Sequence, residues 1–210
     1  MTLKIIGGAT TRTMRAHWAA REMNLDYEVE LIGSRSGATQ KPEFLALSRK
    51  EKIPVLIHDD FVLTESAAII HYLSALGDGS LVPTEIKARA RYDEWLSFLL
   101  MELDAQFLYA IRKHRDLAHI YGEAPTAIDA ARSGFEKYVP LVYRQLEPGR
   151  AYLLGDTFRG VDIVLTTVLE WALAYEFELA AIAQAYLERI QARDAYQSAR
   201  KLNFSITPDQ

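Results

Sequence analysis

Apolar positions along the first third of the chain change rhythm several times, and each rhythm predicts a different element. Leu3, Ile5 and Ile6 form a short apolar run that stops at two glycines, which predicts a buried strand. From Thr10 to Met23 the spacing turns helical, with Met14, Trp18 and Met23 on one side. Tyr27, Val29 and Leu31 then alternate with Glu28, Glu30 and Ile32, predicting a second strand with one face toward a polar surface. One helix separates these strands, so they form a βαβ unit and should pair in parallel with a right-handed crossover. A flexible stretch, Gly33-Ser34-Arg35-Ser36-Gly37, follows, and Pro42 opens a short helix through Leu47. Pro54 to His58, Asp59-Asp60 and Phe61 to Thr64 spell strand, tight turn, strand. Helical spacing returns at Ser66 and runs to about Leu76, giving the order β-α-β-α-β-β-α.

Beyond that point the chain is almost entirely helix-forming. Gly77-Asp78-Gly79-Ser80 and Pro83 mark a seam, so the expected division is a mixed α/β domain over 1–77, a linker over 78–86 and an all-helical domain over 87–210. Tyr92, Trp95, Leu96, Leu99, Leu103, Phe107, Ala110 and Ile111 lie at three- and four-residue spacing and predict one long helix from Lys87 to His114. Another begins at Pro125 and ends at Glu147-Pro148-Gly149. Asp162 to Phe177 is apolar nearly all round, the pattern of a central buried helix. Shorter helices near Leu179–Ala192 and Asp194–Leu202 complete a bundle.

Composition narrows the chemistry. The 210 residues carry 24 basic and 28 acidic side chains, a net charge of −4, so the chain has no electrostatic footprint for nucleic acid or an anionic membrane. The longest apolar stretch, Val161 to Tyr175, is interrupted by Asp162 and Glu170, and the N-terminus lacks the apolar core of a signal peptide. A soluble, cytoplasmic protein with no membrane partner is the expectation. Cysteine is absent, which removes disulfides, thiolate metal sites and cysteine nucleophiles together. Any thiol chemistry must use a borrowed thiol. No Walker loop, GxGxxG or HExxH occurs, and His114 and His119 are spaced wrongly for one helix face, so no metal is expected. Asp162, near the start of the buried helix, reads as a hydrogen-bond acceptor that serves folding.

Ile53-Pro54 is the most informative dipeptide. A proline opening an internal strand cannot donate to the ladder, and a cis bond would turn the backbone of Ile53 outward toward a ligand; an ordinary trans proline is the alternative. The run Lys52-Ile53-Pro54-Val55-Leu56, followed after nine residues by Glu65-Ser66-Ala67-Ala68-Ile69, resembles the glutathione-binding domain of the glutathione S-transferase family, in its cytosolic, bacterial type. Gly155-Asp156-Thr157-Phe158-Arg159-Gly160-Val161-Asp162-Ile163 is similar to the capping-box and staple signature of that family. The resemblance covers essentially the whole chain. It implies an N-terminal thioredoxin-like β-α-β-α-β-β-α domain with a cis-proline at Pro54, followed by a C-terminal helical bundle domain.

What the resemblance implies for function is a transferase that activates the thiol of glutathione, its co-substrate, for attack on a hydrophobic electrophile or a hydroperoxide, in detoxification. Glutathione has two carboxylates and a thiol. Ser66 would hold the γ-glutamyl carboxylate at a helix start, Glu65 would accept from its ammonium, and Ile53 would pair with the cysteinyl backbone. Lys41 and Lys52 are candidates for the glycyl carboxylate, each with solvated surface lysine as its plain alternative. The family's catalytic hydroxyl or thiol falls at Thr10, with Thr11 next; the plain alternative for Thr10 is a helix N-cap. The resemblance also implies a homodimer, an electrophile pocket between the domains with Phe98, Glu102, Tyr109 and Arg112 as walls, and Asp104 reaching the glutathione of a partner subunit. With no cysteine, a mixed disulfide on the protein is impossible. A non-catalytic binding module of the same fold, or a glutathione-dependent isomerase or dehalogenase, are the other readings. Three departures from the family pattern stand out: Ser48-Arg49-Lys50-Glu51 replaces Asn-Pro-x-Gly, Arg159 stands where relatives carry a capping Ser or Thr, and Thr10 in place of a Ser keeps the hydroxyl but adds a methyl that restricts its rotamer.

Overall fold

A computed structural model of the chain describes residues 2–147 and 149–209. Its first elements are β1 (Leu3–Ile6), α1 (Thr11–Glu22), β2 (Glu28–Glu30), a 3-10 turn at Ala38–Gln40, α2 (Pro42–Leu47), β3 (Val55–His58), β4 (Phe61–Thr64) and α3 (Ser66–Leu76). The order matches the pattern of the sequence. The four strands form one sheet in the order β2-β1-β3-β4. β1 pairs in parallel with β2 and antiparallel with β3, and β3 pairs antiparallel with β4. β2 is shorter than the alternation of Tyr27 to Ile32 predicts, ending at Glu30, the partner of Ile6. The Gly7 and Gly8 amides still bond Glu30 O and Ile32 O at 2.9 Å each. As an edge strand with all three residues exposed, β2 is guarded by charge, with Glu30 paired to Lys4 at 2.5 Å. Under one face of the sheet Ile6, Phe44, Ile53 and Val55 pack together.

The helical part begins with α4 (Ile86–Phe98), continues without a break through a π-helical stretch, Leu99–Leu108, and ends as α5 (Tyr109–His114). The sequence predicts this rod, but as plain α-helix. In the middle the amide of Tyr109 bonds Asp104 O, five residues back, and the wider turn leaves the adjacent pairs Leu103–Asp104 and Phe107–Leu108 buried. After α6 (Ala118–Tyr121), α7 runs over Pro125–Leu146 and is capped by Glu147, the first residue of its expected end at Glu147-Pro148-Gly149, of which Pro148 lies outside the described residues. α8 (Gly160–Ala174) is buried on nearly every side, as its composition predicts. α9 (Ala181–Gln191) and α10 (Asp194–Asn203) finish the chain. Among the described residues no helix is long and apolar enough to cross a membrane.

The Asp162 carboxylate anchors α8. It accepts the Leu153 amide at 2.9 Å and the Tyr186 hydroxyl at 2.8 Å on Oδ1, and the Arg159 amide at 2.9 Å on Oδ2. An arginine side chain has no acceptor to return, so this cap is one-sided, as the substitution at Arg159 predicts.

Contacts group the chain into two units, Met1–Val82 with Arg189–Gln210, and Pro83–Glu188. The sequence division put everything after residue 87 in the helical domain, whereas the last stretch packs with the sheet unit. The cause is visible on α10, where Tyr196 meets the Trp18 ring edge-on at 5.0 Å. Arg193 grips Glu22 of α1 with Nε at 2.7 Å from Oε1 and Nη2 at 2.6 Å from Oε2.

Candidate functional site

Register brings the candidate residues of the sheet unit to one end of the sheet. Val55 of β3 stands opposite both Ile6 of β1 and Thr64 of β4. The next residues outward are therefore Gly7 after β1, Pro54 before β3 and Glu65 after β4. The Ile53-Pro54 bond is cis, and among the described residues neither backbone polar group of Ile53 enters a hydrogen bond. Gly7, at φ +125°, has no room for a side chain: a Cβ there would lie 2.7 Å from Thr13 Cγ2 and 2.8 Å from Ile53 Cβ. The β1–α1 loop is thus pressed against Ile53.

Glu65 and Ser66 open α3 from the same end. Glu65 has φ +71°, a conformation an L-residue adopts at a cost of about 1–3 kcal/mol, which tends to be retained where function uses it. Ser66 is the first residue of the helix and 8% exposed, and its hydroxyl makes no hydrogen bond among the described residues. A free hydroxyl beside the amide groups of a helix start is a carboxylate-binding arrangement. The Glu65 carboxylate is exposed and already holds a cation: Lys50 Nζ donates to its Oε1 at 2.8 Å and to Thr64 Oγ1 at 3.1 Å. Sequence reasoning chose Lys41 and Lys52 for the glycyl carboxylate and did not single out Lys50. Both chosen lysines are exposed and enter no ion pair among the described residues. The only signal for Lys50 was its place in the loop that departs from the family pattern. That loop keeps a left-handed turn without glycine, with Glu51 at φ +54°.

Thr10 is the N-cap of α1. Its Oγ1 accepts the Thr13 amide at 3.0 Å, and the two hydroxyls lie 2.9 Å apart. The Thr13 hydroxyl has one proton and three acceptors in reach: Asn203 Oδ1 at 2.6 Å, Thr10 O at 2.9 Å and Thr10 Oγ1. Asn203 Nδ2 donates to Thr10 O at 3.0 Å, which turns the amide so that Oδ1 faces Thr13 and takes that proton. Thr10 must then donate its own proton to Thr13 Oγ1. The hydroxyl that the family pattern favours is committed inside the cap, while Thr11, half-buried on the first turn, makes no hydrogen bond among the described residues. Thr13 and Asn203 escaped the sequence reading because 190 residues separate them.

A buried histidine supports the same loop. His17 Nε2 lies 2.9 Å from Gly7 O and Nδ1 lies 3.1 Å from the Tyr27 hydroxyl. A carbonyl only accepts, so Nε2 carries the hydrogen and Nδ1 accepts from Tyr27. Burial holds the imidazole below its usual pKa; the bond to Gly7 opposes this and the charge of Arg21 adds to it.

In the helical unit, Trp95, Phe98, Leu141, Arg91 and Arg144 line a cleft of about 960 Å³. Phe98, one of the residues named for the electrophile pocket, is among those that line this cleft. Asp104, expected to reach a partner's glutathione, is 1% exposed and would have to leave its buried position to do so. No group of three or more metal-ligating side chains occurs among the described residues.

Comparison with known proteins fits this geometry. The model of the glutathione S-transferase N-terminal domain matches residues 1–75. A glutathione transferase from Methylococcus capsulatus str. Bath, known by its crystal structure, superposes with a TM-score of 0.82 at 30% identity, covering 98% of this chain and 100% of that one. The chain belongs to the glutathione S-transferase family. The glutathione S-transferase hmp2 of Hypomyces subiculosus is 30% identical over 173 residues, 78% of this chain and 79% of that protein. GstA of Escherichia coli O157:H7 is 29% identical over 195 residues, 89% and 92% of the two chains.

Proposed function

We propose that this chain is a glutathione transferase, binding glutathione across the end of the sheet where Gly7, Ile53 and Glu65 meet. The observation that carries the reading is the presence there of four groups that enter no hydrogen bond among the described residues: the Ser66 hydroxyl at the start of α3, the backbone N–H and C=O of Ile53, and the Thr11 hydroxyl on the first turn of α1. The γ-glutamyl carboxylate is taken by Ser66 and the amides of the α3 N-terminus. Ile53 pairs with the cysteinyl backbone as an added strand pairs with a sheet edge. The glycyl carboxylate goes to a lysine, with Lys50 now joining Lys41 and Lys52 as a candidate.

The thiol then lies toward the N-terminus of α1. A free thiol with a pKa near ~8.5 is only a few per cent ionised at neutral pH, and a hydroxyl donor together with the positive end of a helix lowers that value. Thr11 is the donor in this reading, because the proton of Thr10 is held by Thr13. With an aryl halide the thiolate forms a carbon–sulfur bond, the carbon–halogen bond breaks, and halide and the thiol proton leave to solvent. No protein cysteine is needed, in keeping with a chain that has none. The second substrate is a hydrophobic electrophile, the working form a homodimer and the location cytoplasmic, as family membership supports.

Retention on immobilised glutathione with turnover of 1-chloro-2,4-dinitrobenzene, followed by the absorbance of the conjugate, is the expected outcome. Retention without turnover of aryl halides or hydroperoxides would make the chain a binding module. Failure to bind at millimolar glutathione would overturn the reading.

A further inference from the structure

We infer that Asn203, at the end of α10, is a positioning residue for the thiol site: it clamps the β1–α1 loop and sets the direction of the hydroxyl protons there, leaving Thr11 as the free donor. The inference rests on the reading of the α1 N-terminus as the place of the glutathione thiol. Asn203 is 0% exposed and makes three bonds to this loop and helix start. Its backbone oxygen accepts the Ala9 amide at 2.7 Å, its Nδ2 donates to Thr10 O at 3.0 Å, and its Oδ1 accepts from Thr13 Oγ1 at 2.6 Å. Ala9 needs such a hold. At φ +56° it sits in a left-handed conformation that costs an L-residue roughly 1–2 kcal/mol and relaxes when nothing over-determines it.

The side chain does more than brace. An amide is asymmetric, one end donating and the other accepting, so the bond from Nδ2 to Thr10 O dictates that Oδ1 receives the Thr13 proton. Thr13 Oγ1 is thereby left as an acceptor, and it receives the Thr10 hydroxyl at 2.9 Å and the Thr10 amide at 3.2 Å. The chain of protons runs inward, from Thr10 to Thr13 to Asn203. The segment beyond Asn203 adds to the hold. Ile206 lies against Gly8, and Pro208 O accepts the Arg35 amide at 2.8 Å. Gly33 has room for no side chain there, since a Cβ would lie 2.2 Å from Pro208 O.

The test compares the full-length wild type with Asn203→Ala and Asn203→Asp, using 1-chloro-2,4-dinitrobenzene and glutathione below the melting temperature of each variant. Both variants keep the backbone bond to Ala9 and lose the donor to Thr10 O. The expected result is a drop in kcat of about tenfold, with KM for glutathione changed less than about threefold because α3 is untouched. The acid limb of the rate profile should move up by roughly one pH unit, further in Asn203→Asp, whose charge lies beside the α1 N-terminus. Variants that fold and keep the wild-type acid limb and kcat overturn the inference. A second measurement needs no variant: in the wild type the Ala9 amide should exchange with deuterium as slowly as the amides of α10, and exchange at the rate of an open loop would overturn the clamp. A wild type that neither binds glutathione nor turns over the halide overturns the transferase reading instead, and the exchange result stands apart from it.

Discussion

At the scale of single residues the two threonines at the start of α1 separate by role. Thr10→Ala removes the acceptor for the Thr13 amide and is expected to lower stability by about 1 kcal/mol, read from the urea midpoint, with kcat nearly unchanged. Thr11→Ala is expected to leave the midpoint in place and to lower kcat roughly 10- to 100-fold, the worth of one hydrogen bond to a charged group. A reversed pattern would return the donor role to Thr10. His17 adds a pH dependence of known sign. Its folded pKa lies below the ordinary 6.5, so the folded state resists the proton that the unfolded chain accepts. Its contribution to stability is complete above about pH 6.5 and is lost as pH falls from there through the lowered folded value. Urea midpoints between pH 7.5 and 5 should fall more steeply in the wild type than in His17→Gln. The cap role of Thr10 was one of two readings open in its sequence. The proton direction was not legible, because it depends on an amide contributed by the other end of the chain.

At the scale of elements, α8 shows how one buried carboxylate can set a helix start. Asp162→Ala would leave the Leu153 and Arg159 amides and the Tyr186 hydroxyl without their acceptor, and is expected to cost about 3–5 kcal/mol, seen as a large fall in the urea midpoint without loss of the denaturant slope. The sequence revealed the acceptor but not its third partner, which comes from α9. Order and type of every strand and of the long helices were legible from periodicity alone. The π-helical stretch was not. Apolar residues at three- and four-residue spacing are compatible with both windings over a few turns, so the pattern over Leu99–Leu108 does not choose between them.

At the scale of the whole molecule, family membership supports a homodimer, and sedimentation velocity at micromolar concentration is expected to give twice the chain mass of 23.8 kDa; a single-chain mass would sink that part of the proposal. The linear sequence by itself determined the order of strands and helices through α3, the helical character of the rest and the need for a thiol from outside, because these follow from local periodicity and the residue inventory; the cis bond at Pro54, one of two forms open to that dipeptide, was expected from the family resemblance. Tertiary structure alone decided that Arg189 onward packs with the sheet unit, that Lys50 meets Glu65, and that Asn203 closes over the α1 cap. Each of these is a contact between residues distant in sequence. Hydrogen bonds between such groups have no signature in spacing, since they exist only once packing has brought the two ends together.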